Sequence, residues 1–286
     1  MKTNAINLLL NQSAKIFSFF WKRCASEIDL SDIRGKTIMV FSPHPDDEIL
    51  GCGGTIIKKK RAGANVKIIF MTDGCRSHQH LISKKKMRII RSNEALRAGQ
   101  MIGIKDEDIV FLKFEDGRLI NNQIKALHKV LGLLSEFRPD EIFIPHRKEL
   151  PPDHFSTNLI VKSALNIYGR QVKIFEFPVW LCCHWPFVNR PYKLNQGIFR
   201  TFVQSLVCNY FLIKDCRFFI NISDVVGMKK KAMERYESQM TKLVQDSRWL
   251  TLKDISNGDF LSLFFRKYEV FYFYIMGKEK RKTNAD

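Results

Sequence analysis

His44, Asp46, Asp47 and Glu48 fall in one run, Ser42-Pro43-His44-Pro45-Asp46-Asp47-Glu48-Ile49-Leu50-Gly51-Cys52-Gly53-Gly54. A neutral imidazole and a carboxylate three positions later can both point at one divalent cation, and the turn imposed by Pro45 helps them converge. Nitrogen and oxygen ligands suit zinc in an open, catalytic site better than in a closed structural one. A second carboxylate beside the cation is free to take a proton from bound water. The same acids would also cap a following helix, since carboxylates favour a helix N-terminus. His44 and the glycines behind it tip the balance towards the metal.

The flanking residues must position this run. Thr37-Ile38-Met39-Val40-Phe41 reads as a buried strand, and Thr55–Arg61 as a helix with a basic exposed end. Polar residues thus gather at the carboxyl end of a strand, where open α/β sheets place their ligand crevice. Further strands are expected at 66–72, 109–112, 141–144 and 172–177, and helices at 84–102 and 124–137. The alternation predicts an α/β, Rossmann-like, mostly parallel sheet with helices on both faces in a single domain. Asp73, at the end of the second strand, would face the same crevice.

Composition sets the bounds. An apolar fraction of 45% with 27% charged residues describes a globular chain. The formal charge of +18 predicts attraction to polyanions, an anionic membrane or a phosphorylated substrate. Seven cysteines with no Cys-x-x-Cys pair read as reduced thiols in a cytoplasmic protein. Residues 1–33 are expected to form an amphipathic segment, 34–276 the main domain and 277–286 a basic tail. No stretch is long and apolar enough for a transmembrane span. The stripe Ile198, Phe199, Phe202, Val203, Leu206, Val207, Tyr210 and Phe211 is helical by spacing, packed on the core or laid on a membrane.

The motif Pro-His-Pro-Asp-Asp-Glu-x-x-Gly-Cys-Gly-Gly resembles the signature of the LmbE-like, or PIG-L-like, zinc-dependent de-N-acetylases. That family removes acetyl groups from N-acetylglucosamine units of thiol-sugar, glycolipid and antibiotic precursors. The resemblance implies a Zn2+ site of His44, Asp47 and His154, the last from Pro151-Pro152-Asp153-His154, where the family usually reads His-Pro-Asp-His. It implies Asp46 as general base towards metal-bound water. Glu48 would orient His44 or merely cap the helix. Arg91, in an Arg-x-x-Glu pair with Glu94, resembles a sugar-contacting arginine, or forms an i,i+3 salt bridge with that glutamate. Residues Lys229 to Gln239 are similar to the family's late helix. Pro151 departs from the pattern: it cannot polarise a carbonyl, so His146 or His184 takes that role or the enzyme is slower.

These features predict a hydrolase for the acetamide of an N-acetylated, anionic sugar conjugate, lipid-linked or a cell-surface glycan precursor. The basic clusters and the aromatic run Phe260–Met276 suggest peripheral contact with an anionic inner membrane face. The alternative is a sugar-binding or regulatory protein that keeps the metal without catalysis. Nucleic acid is not expected as a partner, because the basic residues are scattered without a binding motif. The oligomeric state is open.

Overall fold

The structure, a computed structural model, describes residues 24–184, 188 and 198–277, with 198–202 through their backbone alone. Of the amphipathic segment expected at 1–33, residues 1–23 lie outside the described residues, while Ser26–Glu27 form a short strand and Ile33 is buried; residues 278–286 of the basic tail also lie outside the described residues.

Eight strands form one sheet: β1 (Ser26–Glu27), β2 (Thr37–Ser42), β3 (Asn65–Thr72), β4 (Ile109–Phe114), β5 (Glu141–Pro145), β6 (Val172–Phe177), β7 (Phe218–Asn221) and β8 (Tyr268–Met276), in the order β1-β7-β8-β6-β5-β2-β3-β4. Strands β6, β5, β2, β3 and β4 run parallel, while β8 is antiparallel to both its neighbours. Parallel neighbours need long crossovers. These carry α1 (Asp47–Arg61), α2 (Lys84–Met101), α3 (Gln123–Phe137) and α4 (Pro152–Tyr168). The remaining α-helices among the described residues are α5 (Ile198–Asp215), α6 (Val226–Met233), α7 (Glu237–Met240) and α8 (Asp259–Leu263).

Both faces of the central strands are covered, so their side chains are apolar without alternation. Ile38, Val40, Phe143 and Phe175 pack with α1, α2 and α6 on one face. Met39, Phe41, Ile142 and Ile144 pack with α3 and α4 on the other. The expected α/β sheet with helices on both faces is what the chain forms.

Strand order fixes where a ligand can sit. From β2 the chain winds outwards through β3 to β4, then returns to the far side of β2 as β5 and continues to β6. The carboxyl ends of β2 and β5 therefore flank the point where the winding reverses, the usual crevice of such sheets. The loop after β2 carries His44, and the loop after β5 leads to His154.

The aromatic run that the sequence offered to a membrane has another use. It supplies α8 and β8, and β8 is inserted between β6 and β7. Phe271 is buried against Phe143 and Phe175. Aromatic residues such as the run Phe271-Tyr272-Phe273-Tyr274 suit a strand at least as well as an interfacial segment.

Two lysines of the supposed surface clusters are also interior. Lys59 pairs with Glu141 at 2.6 Å, and Lys229 with Glu269 at 2.7 Å. The second pair mends a break in α1, whose backbone leaves the helical region at Cys52. Glu269 accepts the N–H groups of Gly54 and Thr55, while Lys229 donates to the carbonyl of Leu50. Groups orphaned at a helix interruption are thereby satisfied. The glycines of the motif allow close approach: a Cβ on Gly51 would stand 2.2 Å from the Phe177 ring.

Candidate metal centre

Pro43 to Asp46 form a tight loop between β2 and α1. The carbonyl of Pro43 accepts from the Thr72 N–H and hydroxyl, which ties the loop to the end of β3. Asp46 has φ 135°, a conformation that costs a non-glycine residue about 1–3 kcal/mol and persists only where surroundings impose it. Here its N–H donates to Glu48 at 3.0 Å and its carbonyl accepts from Ile49 and Leu50. Its carboxylate lies 3.1 Å from Arg91, which also donates to the carbonyl of Pro45. The strained backbone turns the Asp46 carboxylate to one side while Asp47 starts the helix.

Asp47 and the two histidines converge. Asp47 Oδ2 is 3.1 Å from His44 Nδ1 and 3.1 Å from His154 Nε2. One ligand atom from each of His44, Asp47 and His154 fits within 4.8 Å of the others. His154 is fully buried, and neither ring nitrogen has a hydrogen bond of good geometry despite these short distances. A buried nitrogen whose lone pair misses its neighbour fits a cation better than a proton bridge. Two imidazoles and one carboxylate, with coordination positions left over, are the donor set of an open zinc-type site.

The surrounding charge is consistent with this. Burial disfavours a charged His44, yet Asp116, Asp153 and Asp47 outweigh it and hold its pKa well above the ordinary range. Burial likewise opposes a charged His154, but Asp47 and Glu149 push its pKa up to about 9. For Asp47, burial is outweighed by His154 and His44, which hold its carboxyl well below the usual range. The cluster is built to stabilise positive charge between these side chains.

A second ring of carboxylates orients the first. Asp153 and Asp116 both approach His44 Nε2 at 3.3 Å. Asp153 is itself fixed by the N–H groups of Gly117 and Leu119. Glu149 reaches His154 Nδ1 at 3.1 Å and accepts the N–H groups of Val179, Trp180 and Leu181. Carboxylates behind metal-facing histidines fix the tautomer and ring plane. None of Asp116, Glu149 and Asp153 was singled out from the sequence. Asp116-Gly117 is a residue pair typical of a turn, and Glu149 carries no local signal at all.

Glu48 does not touch His44 by hydrogen bond. It accepts from the Asp46 N–H, from Ser42 and, closely, from the Tyr236 hydroxyl. Burial raises its pKa to about 8. Asp46 is raised to about 6, chiefly by burial, with Arg91 opposing. A carboxylate poised near neutrality can both accept and return a proton.

The other expected site residues divide. Arg91 is buried beside Asp46, with two guanidinium nitrogens lacking partners among the described residues. Its presumed partner Glu94 instead accepts from the Ser238 N–H and hydroxyl. Asp73 is bound by Arg88 and by the N–H groups of Cys75 and Asp116, one residue removed from the His44 contact. His146 is fully buried 3.3 Å from Asp215 and accepts from the Lys148 N–H. It thus belongs to a contact set with α5 rather than to the three-residue cluster. His184 is buried, and neither of its ring nitrogens has a partner among the described residues. Pro151 precedes α4 as an extended residue at its N-terminus.

Comparison with known proteins finds several deacetylases among the similar chains. Residues 39–165 match the family model described as PIG-L: GlcNAc-PI de-N-acetylase. The chain is 26% identical over 208 residues to a diacetylchitobiose deacetylase of Thermococcus kodakarensis, covering 71% of this chain and 70% of that protein. Its fold is similar to that of N,N'-diacetylchitobiose deacetylase from Pyrococcus horikoshii, with a TM-score of 0.60 and 20% identity over 96% of this chain and 93% of the other. It is also similar to a deacetylase of the teicoplanin biosynthetic pathway, with a TM-score of 0.58 and 18% identity over 86% of this chain and all of the other.

Proposed function

With residues 39–165 belonging to the PIG-L (LmbE-like) family, we propose that this chain is a metal-dependent N-deacetylase that hydrolyses the acetamide of an N-acetylglucosamine-type sugar conjugate. The observation that carries the reading is the strained turn at Asp46. It sets one carboxylate against Arg91 and the next between two histidines.

A zinc ion held by His44, Asp47 and His154 would supply a Lewis acid that polarises the amide carbonyl and acidifies water. The protein's own residues do the rest. Asp46, raised towards neutrality by burial and held by Arg91, takes the proton from the attacking water and returns it to the departing amine nitrogen. Water adds to the carbonyl carbon, the C–N bond breaks, and acetate and a free amine result. Asp153 and Asp116 hold His44, and Glu149 holds His154, so the donor set is fixed before substrate arrives. The unpartnered guanidinium nitrogens of Arg91 support a contact with the sugar or with developing negative charge. Asp73 would act on the sugar only through the Asp116 loop, and His146 only through the Arg147 and Lys148 backbone beside it.

The test is amine release by zinc-reconstituted protein from a panel of N-acetylglucosamine conjugates, anionic and neutral. Activity on at least one conjugate is expected. None from any conjugate, with one metal bound per chain, would overturn the hydrolase. A second reading has one observation in its favour. Pro151 stands where the family carries a histidine, and proline offers no donor to an oxyanion or leaving group. A protein that binds the sugar without cleaving it would follow. Tight binding of an N-acetylated conjugate without amine release would favour it.

A further inference from the structure

Helix α5 has two contrasting sides. Ser205, Cys208, Asn209, Leu212 and Asp215 face inward, and Cys208 and Leu212 join a small cluster with Leu181 and Cys216. Val203, Leu206, Val207, Tyr210 and Ile213 face outward and are 42% to 56% exposed. Their spacing of three or four residues puts them on one stripe. A contiguous apolar stripe on a surface helix marks something that covers it.

Charge around the stripe identifies the cover. The only acid in α5, Asp215, is turned inward onto Arg147 at 2.8 Å and His146 at 3.3 Å. Exposed Lys214 lies over the Tyr210 ring at 5.4 Å, and exposed Lys148 over the Phe211 ring at 5.0 Å. Arg217, two residues after the end of the helix, is exposed. Apolar side chains edged by cations whose stems lie along aromatic rings form an interfacial surface. A second copy of this chain would meet the stripe with the same cations, because a two-fold interface pairs a patch with itself. An anionic bilayer offers the opposite charge and an apolar interior within one helix radius. At 18 residues α5 is about 27 Å long, enough to lie along a bilayer surface.

We infer that the outward face of α5 docks on an anionic lipid bilayer, with Val203, Leu206, Val207, Tyr210 and Ile213 entering the headgroup boundary. The docked helix is wired to the metal centre. Asp215 binds the loop of His146 and Arg147, and Glu149 in the same loop orients His154. Docking would hold the crevice at the carboxyl ends of β2 and β5 close to the membrane surface. A lipid-borne N-acetylated sugar is then the natural substrate, and that part alone rests on the deacetylase reading.

The experiment is flotation of the full chain with vesicles of phosphatidylcholine containing phosphatidylglycerol, and with phosphatidylcholine alone. The wild type is expected to float with the anionic vesicles. The double variant Leu206→Ser/Val207→Ser keeps every charge and should partition about tenfold less, since apolar burial is lost. The pair Ile124→Ser/Ile167→Ser, exposed on α3 and α4, should float as the wild type does. Circular dichroism and melting of each variant check that the fold is kept. Equal flotation of Leu206→Ser/Val207→Ser and wild type would overturn the proposal, because charge or another segment would then suffice. A wild-type dimer split by that variant, with no flotation of either, would assign the stripe to a second copy and overturn it as well. Selective loss of flotation in a protein that releases no amine from any conjugate would uphold the docking and sink the deacetylase.

Discussion

The two loops that meet at the metal centre are built in opposite ways. The loop after β2 is short, contiguous and braced from distant parts of the chain. Tyr236 reaches Glu48, Arg91 reaches Asp46, and Thr72 holds Pro43. The loop after β5 is longer, and its acids are fixed by backbone N–H groups of neighbouring loops rather than by side chains. Glu149 and His154 lie within one turn of Pro151, and the N–H groups that fix Glu149 come from the segment just after β6. On the proposed function, the first loop carries the reacting carboxylate and has strain to maintain. The second would carry a ligand and orient it, and it is there that the sequence departs from the motif it resembles. On that reading, catalytic precision depends on side-chain bracing at β2, and metal retention on backbone bracing at β5.

That contrast can be broken at its strongest point first. Asp46→Ala should lower amine release by about 10²- to 10⁴-fold, the usual range for a lost general base. Bound metal, measured by elemental analysis, should be unchanged. Loss of metal in parallel would make Asp46 a ligand and blur the division of labour. On the other loop, Glu149→Gln keeps the shape but weakens the partner of His154. Zinc affinity should fall by about 10- to 100-fold, with full activity restored at saturating zinc. Activity that stays low at saturation would move Glu149 to the reactive side.

A smaller effect tests the reach of the bracing. Tyr236→Phe removes a hydroxyl that donates to Glu48, at a cost of about 1–3 kcal/mol in urea unfolding. If the hydroxyl braces the Asp46 turn, kcat should drop while KM and metal content hold. A change confined to stability would reduce Tyr236 to a packing residue. The mildest change is Pro151→His, which adds a donor at the start of α4. We expect a severalfold gain in kcat, within the span of a general acid or oxyanion contact. No gain would mean that His184, Arg91 or another donor already fills the role.

Much of the first loop was legible in the sequence, and little of the second. His44, Asp46 and Asp47 sit within four residues on a strand-to-helix turn, so proximity in sequence became proximity in space. Asp47 and the histidines converge in the structure much as the motif implies. Glu149 was invisible because its role depends on three N–H groups some thirty residues away. Asp116 looked like a turn residue, since nothing local says that β4 ends beside β3 and hence near His44. The five central strands were readable because burial on both faces makes them continuously apolar. Strand β8 was not, because its consecutive aromatic residues fit an interface as well as a sheet. The lysine clusters misled for a related reason: a run of lysines does not disclose which member has a buried glutamate waiting, as Lys59 and Lys229 do.

The position of β8 has a consequence for biosynthesis. Strands β1 and β7 pair with each other, and β7 joins the rest of the sheet through β8 alone. Glu269, on the same strand, closes the break in the helix that starts at Asp47. On the ribosome β8 emerges after every element it joins. The growing chain therefore carries an unpaired edge on β6 and an unmended helix until β8 is made. Such edges invite pairing with other chains while they wait. Completion of the candidate metal centre must wait for β8, and a chain cut just before Tyr268 should accumulate as aggregate rather than as a smaller folded protein.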